Sequence, residues 1–523
     1  MNKLLSIKNL KKYFPLPKTK LFQKEQLYVR ANEEISIDIN EGETFGLVGE
    51  SGCGKSTLGR VLLQLYDQTA GSTMYYGRTL DALAPKYVAD TLRHANKYIA
   101  IMNKAQAKAE QLTAKCDELG DSATFFDLQE KNLAIAEAKT ALDNVAKILG
   151  GFTVCDTSAG AALLLERFGH AVKVAELHDK LSDCQLELEV LEHEQDAKKK
   201  IAAEHKKIHK LESELALADN AISELESKIA ELKAKHANDE KFAEYEQMLD
   251  NGIDLARLSI AEMRLLRKDL QIIFQDPYSS LNPRMTVGQI IEEGLITHKF
   301  FKPGSPKMKE YVFEVMESCG LQPYMYNRYP HQFSGGQRQR ICIARSLAVK
   351  PKFVVCDECV SALDVSIQSQ IINLLQELGE KEKLTYLFIS HNLSVVRYIS
   401  DRIGVMYLGN MVEVADTDTL FKDPRHPYTI ALLSSIPTTD PDSLSKERII
   451  LEGNIPSPIR PPAGCKFHTR CYMACDKCRR VPPPVHEVEP GHFVACHFPE
   501  QKLDENGNYL FDVPKSVSNK DKE

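Results

Sequence analysis

Two contrasting patterns of hydrophobic and polar residues divide the chain. In residues 1–77 and 251–420, short runs of β-branched residues alternate with helical periods and with glycines. This alternation is typical of α/β proteins. In residues 78–250, Ala, Glu, Lys and Leu dominate and Pro85 is the only proline, a composition that predicts helices. The pattern therefore predicts an α/β domain that is interrupted by a helical insertion.

An apolar seven-residue repeat runs through the insertion. It is clearest in two seams, Ile201, Ile208, Leu215, Ile222, Ile229 and Leu211, Ala218, Leu225, Leu232. An average spacing of 3.5 residues is typical of a left-handed coiled coil.

Turn signals in the insertion allow two helical arrangements. We favour an antiparallel hairpin with one arm out to Leu149, a tip at Gly150 and Gly151, and one arm back to about His236. Arms of about 70 residues would reach roughly 100 Å. Alternatively, the segment 120–122, Gly-Asp-Ser, forms a second turn and gives a shorter three- or four-helix bundle.

Composition and charge narrow the class of protein. The 523 residues allow about three domains, and 66 Lys and Arg against 73 Asp and Glu give a net charge of −7. A protein that coats nucleic acid would usually be basic, so we expect no nucleic-acid partner. The sequence contains no run of about 18 apolar residues, so it predicts no membrane-spanning helix.

The N-terminus and the cysteines predict a cytosolic location. Charge returns at Lys8, Lys11 and Lys12, too early for the apolar region of a signal peptide. In a long chain without such a signal, the thirteen cysteines are expected to stay reduced or to bind metal.

A glycine-rich segment has the spacing of a phosphate-binding loop. A buried-strand run at 44–48 precedes it and a helical run at 58–65 follows. The segment is G-x-x-x-x-G-K-S in the required strand–loop–helix context: Gly49, Glu50, Ser51, Gly52, Cys53, Gly54, Lys55, Ser56 and Thr57. Backbone N–H groups and the helix N-terminus would surround a β-phosphate. We expect Lys55 to reach the β- and γ-phosphates and Ser56 to ligate Mg²⁺.

A second buried run, 353–356, ends in the acidic pair Asp357 and Glu358. At the end of a strand beside a phosphate-binding loop, Asp357 suits a carboxylate that helps to hold Mg²⁺, and Glu358 suits one that polarises the attacking water. Taken alone, the pair is explained equally well as an ordinary strand end.

Further short motifs follow the loop in a particular order. They are Gln275 in Ile-Phe-Gln-Asp-Pro, the run Ser334, Gly335, Gly336 and Gln337, the pair Asp357 and Glu358, Asp364 in Ser-Ala-Leu-Asp, and His391 in Ile-Ser-His-Asn. With them the chain resembles the ATP-binding cassette (ABC) ATPases, whose Walker A, Q-loop, signature, Walker B, D-loop and switch histidine have this order. The resemblance implies a P-loop NTPase fold with a RecA-like core, an antiparallel β subdomain and a helical subdomain. It also implies ATP and Mg²⁺ as cofactors.

The resemblance also implies roles for the matching residues. Gln275 would sense Mg²⁺ and the γ-phosphate, His391 would hold the γ-phosphate and the attacking water, and Asp364 would shape the contact between two cassettes. The signature residues would close over the nucleotide of the opposite cassette: Ser334, Gly335, Gly336 and Gln337. We expect Tyr13 to stack on adenine, with Phe14 and Tyr28 as alternatives.

Longer stretches sharpen the resemblance. The segment 278–286 reads Tyr-Ser-Ser-Leu-Asn-Pro-Arg-Met-Thr, and the segment 426–429 reads His-Pro-Tyr-Thr. Together they are similar to the ATPase subunits of oligopeptide/dipeptide permeases, specifically the F-type subunit. Two positions depart from the family pattern, since Phe333 replaces the usual Leu before the signature Ser and Cys359 replaces the usual Pro after the catalytic Glu. Neither departure removes a catalytic group.

The segment 421–523 is rich in Pro, His and Cys and predicts little regular structure. Cys465, Cys471, Cys478 and Cys496 suit a soft metal centre, and the resembling ATPases carry a similar set that in some members holds a [4Fe–4S] cluster. Zinc is an alternative, and free cysteines without a metal are a third. The spacing of the cysteines does not distinguish between a cluster, zinc and free thiols. We expect Cys475 not to be a ligand.

We predict an ATPase that powers import of oligopeptides or dipeptides. The resemblance implies a homologous D-type ATPase subunit, two transmembrane permease subunits and an extracytoplasmic solute-binding protein as partners, with the chain peripheral at the cytoplasmic face of the membrane. The alternative is a chromosome-maintenance or DNA-repair ATPase of the ABC type, which also carries a coiled coil. There the coil follows the Q-loop, whereas here it ends before Gln275.

The role of the insertion stays open between three hypotheses. It is a surface extension without a partner, a docking arm for an unknown protein, or a strut for dimerisation. Heptad seams that pair within one hairpin would need no partner.

Overall fold

The structure, a computed structural model, describes residues 2–18, 26–192, 198–436 and 449–499. The chain forms two compact units, one of residues 1–69 with 263–523 and one of residues 70–262. The predicted insertion, 78–250, lies within the second unit, and the four domain ranges read from the sequence stay a prediction.

The strands of the described residues are β1 (Lys3–Pro15), β2 (Tyr28–Asn40), β3 (Thr44–Val48), β4 (Ala70–Tyr75), β5 (Ile253–Asp254), β6 (Leu270–Ile273), β7 (Phe353–Asp357), β8 (Thr385–Ile389), β9 (Arg402–Tyr407), β10 (Asn410–Asp416), β11 (His486–Glu489) and β12 (His492–Val494).

The helices are α1 (Lys55–Leu62), α2 (Leu80–Leu83), α3 (Lys86–Arg93), α4 (Ala95–Leu119), α5 (Phe125–Leu149), α6 (Thr157–Glu192), α7 (Lys198–Ala234), α8 (Glu240–Glu246), α9 (Ile260–Leu266), α10 (Pro277–Ser280), α11 (Val287–Thr297), α12 (Pro306–Ser318), α13 (Gly335–Leu347), α14 (Val365–Glu382), α15 (Leu393–Ile399), α16 (Thr417–Lys422), α17 (Pro427–Ser434) and α18 (Asp476–Arg480).

The first unit is built on a sheet with the strand order β11-β12-β10-β9-β3-β8-β7-β6. The five strands from β9 to β6 are parallel. Strands β7 and β8 are buried along their whole length, as expected for apolar strands covered on both faces. The predicted α/β core is confirmed, and the carboxyl ends of β3, β7 and β8 meet at one edge, where ligands bind in such sheets.

Two further layers of this unit match the predicted subdomains. Strands β1 and β2 pair antiparallel, with Lys3 opposite Asn40. Helices α11, α12 and α13 pack together around a core that includes Ile290, Val312 and Ile341.

The C-terminal segment contains more regular structure than its composition predicted. Strand β12 pairs antiparallel with β10, and β11 pairs with β12. The main sheet thus supplies hydrogen-bond partners to a segment that has little core of its own.

In the second unit, the favoured single hairpin is wrong. Helix α4 ends at Leu119, the chain turns through a 3₁₀ segment at Gly120–Ser122, and α5 packs back against α4. A capping box at Thr124, with Asp127, begins α5 and stops the upstream helix from running on. The four long helices instead form two hairpins, so the turn at 120–122 that the alternative arrangement predicted is confirmed.

The second hairpin pairs α6 with α7. The predicted seam residues of α7 are buried or half-buried, and Ala218, Leu225 and Ile229 are the most deeply buried of them. This burial suits the heptad, and coiled-coil geometry itself stays a prediction.

The base of the second unit has its own apolar core. Phe152 is fully buried and contacts Phe242 edge-on, with ring centroids 5.8 Å apart. Strand β4 pairs antiparallel with β5.

Among the described residues, no single helix has both the length and the apolar composition needed to cross a membrane. The consecutive helical stretches Phe125–Thr153 and Thr157–Glu189 reach that composition and length only as a pair, and the chain bends by 109° between them.

Candidate functional site

The predicted phosphate-binding loop connects β3 to α1, as the sequence indicates. Gly49 has φ +149° and Gly54 has φ +105°, conformations that favour glycine. A Cβ atom on Gly54 would lie 2.1 Å from the main-chain oxygen of Ala31. Ser51 and Gly52 form the exposed tip of the loop. Gly49 and Gly54 therefore require glycine, and the loop conformation they allow suits one that surrounds a phosphate.

Lys55 points back into its own loop. Its buried Nζ donates to the carbonyl oxygen of Gly49 at 2.7 Å and to that of Glu50 at 3.1 Å. Burial raises the pKa of the neighbouring Cys53 thiol, so this cysteine stays protonated and adds no charge. A cation held only by neutral groups can move to phosphate oxygens, and the loop therefore fits a nucleotide.

Ser56 and Asp357 lie together although 301 residues separate them in sequence. Ser56 Oγ donates to Asp357 Oδ1 at 2.5 Å, and Arg60 Nη2 lies 3.4 Å from Asp357 Oδ2. A hydroxyl and a carboxylate are ligands that Mg²⁺ accepts beside phosphate oxygens. These residues fit the predicted magnesium site.

Gln275, which follows β6, and His391, which follows β8, contact the same carboxylate oxygen of Glu358, which follows β7. Gln275 Nε2 donates to Glu358 Oε2 at 3.0 Å, and His391 Nδ1 lies 3.5 Å from the same oxygen. Glu358 has φ +49°, and its N–H donates to the carbonyl of Ile389 at 3.0 Å. The left-handed backbone of Glu358 is a strained conformation, and it lies where the three side chains meet.

The signature residues and Asp364 begin helices. Ser334 Oγ accepts from the N–H of Gln337 at 3.4 Å, and Gln337 Oε1 accepts from the N–H of Ser334 at 3.1 Å. Asp364 Oδ1 accepts from the N–H of Ile367 at 3.0 Å, and a Cβ on Gly336 would lie 2.5 Å from Ile367. Within one chain these groups cap α13 and α14, and their roles towards a second cassette stay predictions.

The ring of Tyr13 is buried and does not expose a face for stacking. Its side chain is 4% exposed and its hydroxyl donates to Glu33 at 2.6 Å. Burial, followed by the charge of Glu33, raises the pKa of Tyr13 well above its ordinary value. The alternatives Phe14 and Tyr28 are half-buried. Stacking of Tyr13 on adenine would require the ring to be uncovered, and it stays a prediction.

Sequence reasoning missed three residues that contact the site. They are Arg60 beside Asp357, Tyr428, whose hydroxyl accepts from the N–H of Glu50, and Arg470, which binds the Glu50 carboxylate. Arg60 lies one turn after Ser56, and that spacing could have identified it. Arg470 is 420 residues from Glu50, so no local pattern indicates the contact.

The four predicted metal-ligand cysteines line one cavity, with Phe467 and His468. Burial raises the pKa of Cys471 to about 12 and that of Cys496 to about 11. Cys475, the expected bystander, has its Sγ 3.7 Å from that of Cys478. Within the described parts of the chain, no three His, Cys, Asp or Glu side chains are arranged to hold a metal ion. A cluster or a zinc ion would therefore require these side chains to move.

Comparisons with known proteins agree with the site. The family described as "ABC transporter" matches residues 32–252 and 238–361. The family described as "Oligopeptide/dipeptide transporter, C-terminal region" matches residues 412–478.

Three curated relatives are oligopeptide transport ATP-binding proteins by name. The putative protein YkfD of Bacillus subtilis is 53% identical over 47% of this chain and 75% of its own length. AppF of Bacillus subtilis is 53% identical over 48% of this chain and 76% of its own length. OppF of Haemophilus influenzae is 49% identical over 47% and 74%, respectively.

Proposed function

The chain belongs to the ATP-binding proteins of ABC transporters that carry the oligopeptide/dipeptide transporter C-terminal region, and we propose that it hydrolyses ATP to drive import of oligopeptides or dipeptides. The observation that carries the proposal is the convergence of Gln275 and His391 on Glu358, beside the phosphate-binding loop that contains Lys55. The named relatives are transport proteins, and the alternative of a DNA-repair ATPase is not supported.

The proposed hydrolysis uses the residues at the sheet edge. Lys55 leaves the carbonyls of its loop for the β- and γ-phosphates, and Glu358 orients the attacking water and accepts its proton. Gln275 and His391 hold the Glu358 carboxylate in place. Ser56 and Asp357 would hold Mg²⁺, which when bound neutralises charge on the phosphates.

We propose that the chain acts as a peripheral subunit at the cytoplasmic face of a membrane. Its partners would be two transmembrane permease subunits, a D-type ATPase subunit and an extracytoplasmic solute-binding protein. The family membership supports membrane partners in general, and the D-type subunit is our more specific proposal.

Affinity purification of the chain from detergent-solubilised membranes tests these partners. We expect two polytopic membrane proteins and a second ATPase to be recovered, in amounts that do not change after nuclease treatment. Recovery of DNA or a nuclease without polytopic proteins would overturn the proposal. The Lys55→Ala variant is the matched control, because it should keep its partners and lose nucleotide binding.

A metal centre at the C-terminal cysteines is a separate proposal, with [4Fe–4S] preferred over zinc. The side chains would have to rearrange to bind it, so no step of hydrolysis is assigned to it. The test is to measure the iron, acid-labile sulfide and zinc contents of anaerobically purified protein. The Cys471→Ser variant is the comparison. Equal metal contents near zero in both proteins would leave the cysteines free.

We propose that the helical insertion is not needed for hydrolysis, whether it is a bare extension, a docking arm or a strut. At its base, the Tyr76 hydroxyl donates to Asp250 Oδ2 at 2.9 Å, so the two ends of the insertion are close. Replacement of residues 78–250 by a short linker should therefore keep ATP hydrolysis. Loss of nucleotide binding would show that the insertion is part of the catalytic fold.

A further inference from the structure

Glu50, the second residue of the phosphate-binding loop, has each of its polar groups engaged. Its N–H donates to the Tyr428 hydroxyl at 2.9 Å, and its carbonyl accepts from Lys55 Nζ at 3.1 Å. Its carboxylate accepts two hydrogen bonds from the Arg470 guanidinium, at 2.8 Å and 3.0 Å. This two-point contact is the strongest arrangement for such a pair.

Arg470 is held in place by a buried cluster of aromatic rings. Its N–H donates to the carbonyl of Phe467 at 3.0 Å. The Phe467 ring packs against Tyr407 and Tyr428, with centroids 5.2 Å and 5.4 Å away. The three rings are at most 1% exposed, and the Arg470 side chain itself is 7% exposed. Arg470 therefore meets Glu50 from a fixed position in the cysteine-rich segment.

A carboxylate in this loop poses an electrostatic problem. The loop must accept an anion, and an unpaired Glu50 would repel the phosphates. It would also attract Lys55, which already contacts the Glu50 carbonyl, away from the nucleotide. A guanidinium in a bidentate contact neutralises this charge without occupying the loop.

We propose that Arg470 is a positioning residue for the nucleotide, which neutralises and fixes Glu50 and so leaves Lys55 available to the phosphates. The cysteine-rich segment thereby contributes directly to ATP affinity. This inference rests on the proposed ATPase function and adds a residue that lies outside the nucleotide-binding motifs.

Titration with a fluorescent ATP analogue tests the inference. Arg470→Met should weaken binding about tenfold, in line with the loss of a charged hydrogen bond. Adding Glu50→Gln to that variant should restore affinity to within about threefold of wild type, because the unpaired charge is then removed. A merely structural role for Arg470 predicts no such rescue. Arg480→Met, which changes an exposed arginine of the same segment, should bind as wild type does.

Affinity of Arg470→Met within twofold of wild type, or absence of rescue, would overturn the inference. If Arg470→Met does not fold, Arg470→Lys and Arg470→Gln decide it. Lysine keeps the positive charge but loses the two-point contact, and this variant should bind about threefold more weakly than wild type, whereas glutamine should bind about tenfold more weakly. Equal affinities of the two variants overturn the inference. A wild-type protein that does not bind the analogue would instead overturn the proposed function.

Discussion

Protonation of His426 should destabilise the C-terminal part of the cassette unit below neutral pH. His426 is 1% exposed, and its Nδ1 accepts from the N–H of Tyr428 at 3.1 Å, which caps α17. Burial lowers the pKa of His426 to about 4, although the charge of Glu413 opposes the shift. The native state therefore requires the neutral ring.

The sign and size of the effect follow from linkage. Because the folded pKa is depressed, the stabilisation is complete above the unfolded pKa of about 6.5 and is lost as the pH falls towards 4. Between pH 7.5 and 5.0, the free energy of unfolding should fall by about 2 kcal/mol from this residue alone.

Hydrogen exchange of α17, followed by mass spectrometry, measures this region separately from the helical unit. The control is His426→Asn, because asparagine can cap the helix and does not titrate. The stability difference between wild type and variant should shrink by about 2 kcal/mol from pH 7.5 to 5.0. A difference that stays constant with pH would refute the reasoning.

Three further predictions concern the loop, hydrolysis and the insertion. Gly54→Ala should abolish binding of the fluorescent ATP analogue, because its Cβ would meet the Ala31 oxygen at 2.1 Å; retained binding would contradict this. Glu358→Gln should bind Mg²⁺-ATP but release phosphate at least about a hundredfold more slowly, and an unchanged rate would contradict its assignment. Phe152→Ala should lower the free energy of unfolding of the helical unit by about 3–5 kcal/mol, because the Phe152 ring packs against Phe242. An unchanged thermal transition in circular dichroism would contradict this.

Local chemistry explains why the loop could be predicted from the sequence. The positive φ angles at Gly49 and Gly54 each favour glycine at one position, so a short sequence motif is enough to reveal them. Family resemblance implied roles for Gln275 and His391 at one γ-phosphate, but not their contacts with Glu358; all three residues follow strands of the same parallel sheet. In a parallel sheet, such positions meet at one edge.

The arrangement of the long helices and the contact between Arg470 and Glu50 could not be predicted from hydrophobic periodicity. The heptad has the same spacing in one long hairpin and in two short ones, so only the turn at Gly120 and the cap at Thr124 distinguish them. Arg470 reaches Glu50 because β10 and β12 pair and aromatic rings hold the segment in place. These contacts depend on the tertiary fold, which a single sequence does not display.

Uptake of a labelled oligopeptide tests the central claim most directly. Cells whose only copy of this chain is wild type should accumulate the peptide, and cells with Glu358→Gln should lose that uptake while free amino-acid uptake is unchanged. Equal peptide uptake by the two strains, with both proteins expressed at the same level, would contradict the account.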